Sequence, residues 1–449
     1  MALLRPVLVT ALLLAGVCRP AFVLAGDETK ATREALRVVQ KQLRSPTPAQ
    51  RVEAVERLRD LPALESVRLI VPSMLNDPAA EVRRAAYQTL LTWKDDGEVC
   101  ALLLKILDKG GRGKKTGIVP PAPLIGVLLA SDSPESEREL GKFLDGYAAA
   151  SHNGVLTLAT VADELGKQAD QQALASLRRM TGLKCFSSTF ACRRAVIQAM
   201  TFVRLPGTVE ALIALLPKLD GEVRGDVVRY LTAVSGQQHG VNGPAWLAWW
   251  KGHKDGFEFA GKAAQRPANG AAAPGMPSYY GLTIQARRMV FVLDVSSSMN
   301  GPRLLAAKRE LTTAIDGLPN DAAFNIIAFS SQVVVWQQRP VPATPATKQA
   351  ARQFLYGLQA NGQTAAYDAL EAAFRLDVEA IYFLSDGAPT AGKIVAPAAI
   401  LAAVGQTNRG RRISLYTIGI APGLPGSPLD AFVRLLAEQN LGVYRRVDQ

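Results

Sequence analysis

The sequence predicts an α-helical array followed by a doubly wound, mostly parallel α/β domain. Three observations in its 449 residues carry this. Residues 27–252 read as helix after helix, with apolar positions recurring at helical spacing. Residues 261–277 are rich in Ala, Gly and Pro, a linker composition. Beyond Tyr279, short apolar runs alternate with helical patterns, as βαβ units do. The expected divisions are a leader at 1–25, a helical region at 27–252, a linker at 253–278 and an α/β domain at 279–449.

The leader rests on Arg5, which precedes a mostly apolar run at 7–17, and on Val23, Leu24, Ala25 and Gly26, which offer a small-residue cleavage site. The run is shorter than the ~20 residues a spanning helix needs. The expectation is export, to a periplasm, a cell surface or the medium, with no transmembrane segment in the mature chain. The stretch ending in Cys18 faintly resembles a bacterial lipoprotein box, but Val17 is bulky just before the cysteine. Cys18 leaves with the leader. Cys185 and Cys192 are close enough in sequence to bridge in an oxidising compartment, or to stay as two buried thiols. Cys100 would then be a free, buried thiol.

Formal charge is +12, of which +4 falls from Tyr279 onward. Spread this evenly, the excess argues against a dedicated nucleic-acid face and for general attraction to acidic surfaces.

Within the helical region one theme recurs. A turn with Pro or Asp leads into Val, then Arg or Glu, then small or apolar residues: around Pro48, Arg51 and Val52, again around Asp77, Val82, Ala85 and Ala86, and again around Asp220, Val223 and Arg224. This resembles HEAT repeats, in which helix pairs that cannot bury their apolar stripes alone stack into a solenoid. An irregular helical domain is the alternative, since the period is broken between residues 109 and 202. The glycine- and lysine-rich segment 109–117 is expected to be a solvated basic loop. It misses the phosphate-loop pattern because Lys114 stands where glycine should precede the Lys115-Thr116 pair. Trp246 and Trp250, four apart, are expected to close the open apolar end of the last repeat.

In the second region the strand candidates are 289–294, 323–329, 333–336, 380–385, 413–420 and 443–446, and the helix candidates 303–317, 345–358, 366–375, 397–406 and 429–439. Residues 279–284 are expected to pack on this domain as an opening strand. The run from Met289 to Leu293 is unbroken and apolar, the mark of a strand buried on both faces, and it ends in Asp294, Ser296 and Ser298. These can converge at the carboxyl end of the strand, where open α/β sheets place ligands. One carboxylate and two hydroxyls are hard oxygen donors, better suited to Mg²⁺ than to Zn²⁺ or copper. Alternatively, Asp294 caps the next helix and the serines are ordinary turn residues. Two further segments supply oxygen donors beside element ends: Gly362-Gln363-Thr364, and a buried run ending in Ser385, Asp386 and Gly387.

Asp-x-Ser-x-Ser, a distant threonine and a strand-terminal Asp-Gly together resemble the metal-ion-dependent adhesion site of von Willebrand factor A-type domains. The resemblance covers roughly residues 279–449. It departs only at Ser297, where the commonest version has glycine. It implies that Ser296, Ser298 and Thr364 offer hydroxyls to Mg²⁺, or to Mn²⁺ or Ca²⁺, with Asp294 and Asp386 acting partly through water. The short turn Ser330-Ser331-Gln332 after Phe329 makes 333–336 an antiparallel edge strand, as that family has, and the resemblance implies a protein partner that completes the shell with Asp or Glu. No enzyme is expected. His152, His239 and His253 lie outside this domain at no ligand spacing, and no nucleophile–base grouping is visible. Helical repeats joined to such a domain on an exported chain have a bacterial style.

Overall fold

A computed structural model describes residues 25–112, 121–146, 152–260 and 276–448. Nearly all of the expected leader, most of the basic loop and the core of the expected linker lie outside the described residues. The chain falls into two compact units, Met1–Trp93 and Lys94–Gln449.

The first unit contains α1 (Ala25–Gln42), α2 (Pro48–Arg57), α3 (Ala63–Ser73) and α4 (Ala80–Leu91). Pro48 opens α2 at a position where its missing N–H costs nothing. Ala54, Val55 and Leu58, Val67, Ile70 and Val71 of α3, and Val82, Ala86 and Leu90 of α4 are all buried, with α2 and α3 both packed against α4. Two of the recurring turn residues, Arg51 and Asp77, pair with each other. Arg51 grips both carboxylate oxygens of Asp77, Nε to Oδ2 and Nη2 to Oδ1, each at 2.8 Å. Its Nη1 donates to the Ser45 carbonyl at 2.8 Å. Asp77 turns back to accept from the Ala79 N–H at 2.9 Å, fixing the turn that starts α4.

The second unit continues with α5 (Gly97–Arg112), α6 (Pro121–Leu129), α7 (Pro134–Gly146), α8 (His152–Gln168), α9 (Gln171–Met180), α10 (Lys184–Ser188), α11 (Phe190–Phe202), α12 (Pro206–Leu215), α13 (Gly221–Ser235) and α14 (Gly243–His253). Trp246 is fully buried and donates from Nε1 to the Gly240 carbonyl at 2.9 Å, and Trp250 is nearly as buried, so α14 closes the apolar end of the array. Cys100, Cys185 and Cys192 are all unbridged and buried, the last two with their sulfurs 2.7 Å apart.

The same unit then forms β1 (Ser278–Tyr279), β2 (Leu282–Thr283), β3 (Arg288–Asp294), α15 (Pro302–Asp316), β4 (Ala323–Phe329), β5 (Val333–Val335), β6 (Val341–Pro342), α16 (Pro345–Gly357), α17 (Ala366–Arg375), β7 (Ala380–Ser385), α18 (Pro397–Arg409), β8 (Ser414–Ile420), α19 (Pro428–Glu438) and β9 (Tyr444–Val447). The main sheet has the order β5-β4-β3-β7-β8-β9. β4, β3, β7, β8 and β9 run parallel. β5 pairs antiparallel to β4 at one edge, and so does a short strand the sequence did not suggest, β6. Residues 278–283 differ from the expected opening strand. Positive φ at Tyr280 and Gly281 folds them into a separate β1–β2 hairpin, which still buries Tyr279 against Phe291.

Successive residues of β3 point to opposite faces, and both faces are covered. Phe291 and Leu293 join a core with Leu304, Ala307 and Leu311 of α15 and Ala351 and Leu355 of α16. Val290 and Val292 join a second core with Ala369 and Leu370 of α17, Val404 of α18 and Val433 of α19. That double burial explains the unbroken apolar run.

Helices α8, α11 and α13 meet the sheet near the amino end of β8. Glu222 of α13, wholly buried, accepts from Ser414 Oγ at 2.9 Å and from the Tyr416 hydroxyl. Arg194 of α11 donates to Asp226 at 2.8 Å and to the Arg412 carbonyl at 2.7 Å, with Glu222 3.7 Å away. Arg412 in turn pairs with Asp163 of α8. Charges this deep persist because each is matched by an opposite charge or a hydrogen bond.

Candidate metal centre

The sheet changes direction at its centre. From β3 the chain crosses to β4 on one side, and β7 later takes the place on the other. The carboxyl ends of β3 and β7 therefore border the crevice that this topology leaves open. Asp294 is the last residue of β3, and Asp386 follows the last residue of β7. The pole so formed lies at the opposite end of the strands from the Glu222 network.

Each expected residue comes to this rim. Asp294 is fully buried; its Oδ1 accepts from the Ser296 N–H at 2.8 Å and its Oδ2 from Ser385 Oγ at 2.5 Å. Asp294 thus ends a strand and anchors the turn after it, rather than capping α15. Ser296 Oγ lies 3.1 Å from Ser298 Oγ, and Ser298 Oγ donates to Asp386 Oδ1 at 2.7 Å. Thr364 arrives on a loop sewn to both neighbours. The Ser297 N–H donates to the Gly362 carbonyl at 3.0 Å and the Asn361 N–H to the Val295 carbonyl at 2.9 Å. The Thr364 N–H is held by Thr390 Oγ1 at 3.0 Å. A methyl group built on Gly387 would stand 3.4 Å from Thr364 Oγ1 and 3.5 Å from Ser298 Oγ, so these hydroxyls flank one point beside Asp386.

Gly362 sits at φ 71°, which disfavours other residues there, and a side chain would strike Ser331 Oγ at 2.7 Å. Among the described residues the Thr364 hydroxyl makes no hydrogen bond, although the residue is 96 % buried, being 4 % exposed. A hydroxyl without a protein partner on a rim of oxygen atoms suits a donor to a hard cation.

Burial pushes the Asp294 carboxyl up to about 6, against the hydrogen bonds from Ser385 and Ser296, and the nearby Asp386 pushes it the same way. The site therefore gathers two carboxylates in a low-dielectric pocket. Sequence reasoning missed the group that answers the second charge: Arg303, on the first turn of α15, donates from Nη1 to Asp386 Oδ2 at 2.7 Å. It named Ser385 at the strand end without a role of its own; the hydroxyl steadies Asp294. That position was a usable signal; Arg303 had none. The donor set is two carboxylates and three hydroxyls, with no nitrogen or sulfur, and its chemistry fits Mg²⁺ or Mn²⁺.

Comparison with known proteins agrees with this geometry. A family model described as "von Willebrand factor type A domain" matches residues 287–446. Inter-alpha-trypsin inhibitor heavy chain H6 of Homo sapiens is 33% identical over 184 residues, which are 37% of this chain and 14% of that protein. Heavy chain H4 of Homo sapiens is 34% identical over 182 residues, 38% of this chain and 19% of that protein. The chain thus spans less than a fifth of the length of these relatives. Among solved structures, a von Willebrand factor type A protein from Catenulispora acidiphila is similar at 24% identity and a TM-score of 0.31, over 37% of this chain and 40% of that one. Sheet order, strand-end chemistry and family match converge on one assignment: residues 287–446 are a von Willebrand factor type A domain, preceded by a helical region.

Proposed function

We propose that this chain is an exported protein-binding module that captures an acidic side chain of a partner through a divalent cation, Mg²⁺ or a similar ion, at the rim of the α/β domain. Asp294, Ser296, Ser298, Thr364 and Asp386 would hold the ion. When bound, the ion supplies a concentrated positive charge to which a partner's Asp or Glu can add an oxygen. The chain's own contribution is to bury the site, fix the hydroxyls and keep a largely neutral set of direct donors, so that the charge is not quenched. The observation that carries this reading is the meeting of three remote segments at one strand-end crevice with the Thr364 hydroxyl left open. The helical repeats at 27–252, joined by the linker at 253–278, are proposed as a second interaction surface. The leader at 1–25 is the ground for proposing export. Among the described residues no helix is long and apolar enough to cross a membrane.

A second reading has its own support. The Arg303–Asp386 pair supplies a positive charge from within the chain, as expected of a scaffold whose rim serves only the fold. Thr364→Ala separates the two. Under the binding reading, capture of partner from an exported fraction in Mg²⁺ falls while the melting temperature holds. Under the scaffold reading the melting temperature drops. A partner retained equally in Mg²⁺ and in EDTA by the wild-type chain counts against capture through an ion.

A further inference from the structure

We propose that Arg303 is a built-in competitor for the cation position: it neutralises Asp386 when no divalent ion is bound, and an ion must displace it to bind fully. The inference rests on the reading that this rim takes a divalent ion.

Three observations carry it. Both oxygens of Asp386 are engaged, Oδ1 by Ser298 Oγ at 2.7 Å and Oδ2 by Arg303 Nη1 at 2.7 Å, while the Asp386 side chain is wholly inaccessible. A buried carboxylate needs such a partner, because desolvation penalises an unmatched charge by several kcal/mol. Second, among the described residues Asp294 has no cationic partner, only the Ser296 N–H and the Ser385 hydroxyl, so Arg303, through Asp386, is the cation paired with either rim carboxylate. Third, the Arg303 side chain is 38% exposed, and among the described residues its one other hydrogen bond is to the Ser298 carbonyl at 3.3 Å. It grips a buried acid from the solvent side and can leave without disturbing the core.

A guanidinium and a divalent cation drawn to the same carboxylate repel each other strongly in a partly desolvated site. The ion's apparent affinity is therefore lowered by the free energy of moving Arg303 aside. The consequence is a site that stays closed by its own arginine at low ion concentration, and that exposes a free guanidinium at the rim when filled.

The test uses the full chain and the metal alone as probe. Mg²⁺ and Mn²⁺ are titrated by calorimetry into wild type, Arg303→Gln and Arg303→Lys, and each protein is melted in EDTA. The expected result is on the order of tenfold tighter ion binding for the Gln variant, near-wild-type binding for the Lys variant, and a lower ion-free melting temperature for Gln alone. Wild-type binding with an unchanged or weaker Gln variant overturns the inference and leaves the metal site standing. Tighter binding in both variants also overturns it, since charge would not be the cause. No ion binding by wild type overturns the metal site itself, and this inference with it.

Discussion

Tyr382 and Tyr416 stand opposite each other on β7 and β8, rings 4.9 Å apart and 14° from parallel, yet only Tyr416 has a use for its hydroxyl. Tyr416 donates to Glu222, at 2.9 Å to one carboxylate oxygen and 3.1 Å to the other. The Tyr382 hydroxyl, equally buried, has no hydrogen-bond partner among the described residues. The two tyrosines should therefore respond oppositely to loss of the oxygen. Tyr416→Phe removes a donor from a buried carboxylate and should cost about 1.5–3 kcal/mol. Tyr382→Phe removes an unpaid desolvation and should be neutral or stabilising. Urea denaturation of the two variants checks the contrast; equal losses would show that ring packing, not hydrogen bonding, dominates here.

The same network predicts a dependence on pH. Glu379, just before β7, accepts the Arg287 N–H at 3.2 Å and the Glu222 N–H at 3.3 Å, with Arg288 3.6 Å away. Burial raises its carboxyl above the ordinary glutamate range, more than these donors and Arg288 lower it, and the charge on Glu222 adds to the rise. The folded state thus binds this proton more tightly than the unfolded chain. The associated stability is full below about pH 4, near the unfolded value, and is lost as pH rises through the raised folded value. Glu379→Gln should hold that stability to higher pH. Denaturation of wild type and variant across pH 4 to 8 reads the difference, which should widen upward.

Gly221 reports on the same junction. It starts α13 at φ 55°, and a methyl group there would fall 2.0 Å from Glu379 Oε2. Gly221→Ala combines a left-handed backbone, costing about 1–2 kcal/mol, with displacement of a buried carboxylate. The expected loss exceeds that of Tyr416→Phe, measured in the same urea series.

Asp77 in the first unit has the opposite sign. Burial alone would raise it, but hydrogen bonds from Arg51 and the Ala79 N–H, with the charges of Arg51 and Arg83, hold it below the usual aspartate range. Its stability is present above about pH 4, the ordinary value, and is lost as pH falls through the lowered folded value. Amide hydrogen exchange in residues 45–91 should accelerate first on acidification, and Asp77→Asn should show that faster exchange already at neutral pH. Unchanged protection in the variant would mean that the Arg51–Asp77 pair contributes little to this unit.

Strand-end chemistry was legible because burial on both faces forces an unbroken apolar run: Met289 to Leu293 announced both the strand and the polar residues that end it. The antiparallel edge strand followed from the short turn between Phe329 and Val333. Strands of two residues, such as β6, leave no pattern to read, and the β1–β2 hairpin hid behind Tyr280, which adopts a positive φ that its residue type does not suggest. The partners of Arg194 and Arg303 were invisible for a different reason. Long charged side chains recur along the whole sequence, and only the fold decides which of them meet a buried carboxylate 32 or 83 residues away.

Ser385 offers the last test, because it acts on the rim without being placed among the ion's donors. Its hydroxyl occupies Asp294 Oδ2 at 2.5 Å and accepts the Gly387 N–H at 3.3 Å, tying the end of β7 to the end of β3. If Asp294 serves the ion, the oxygen that orients it matters nearly as much as a direct donor, and such supporting groups typically change metal affinity about 10–100-fold. Ser385→Ala should therefore weaken Mn²⁺ binding by about tenfold or more, while Ser385→Thr, which keeps the hydroxyl, should recover most of it. Calorimetric titration beside a melt in EDTA separates the two roles of the residue. Loss of melting temperature with Mn²⁺ affinity intact would assign Ser385 to the fold alone and would remove Asp294 from the ion's surroundings.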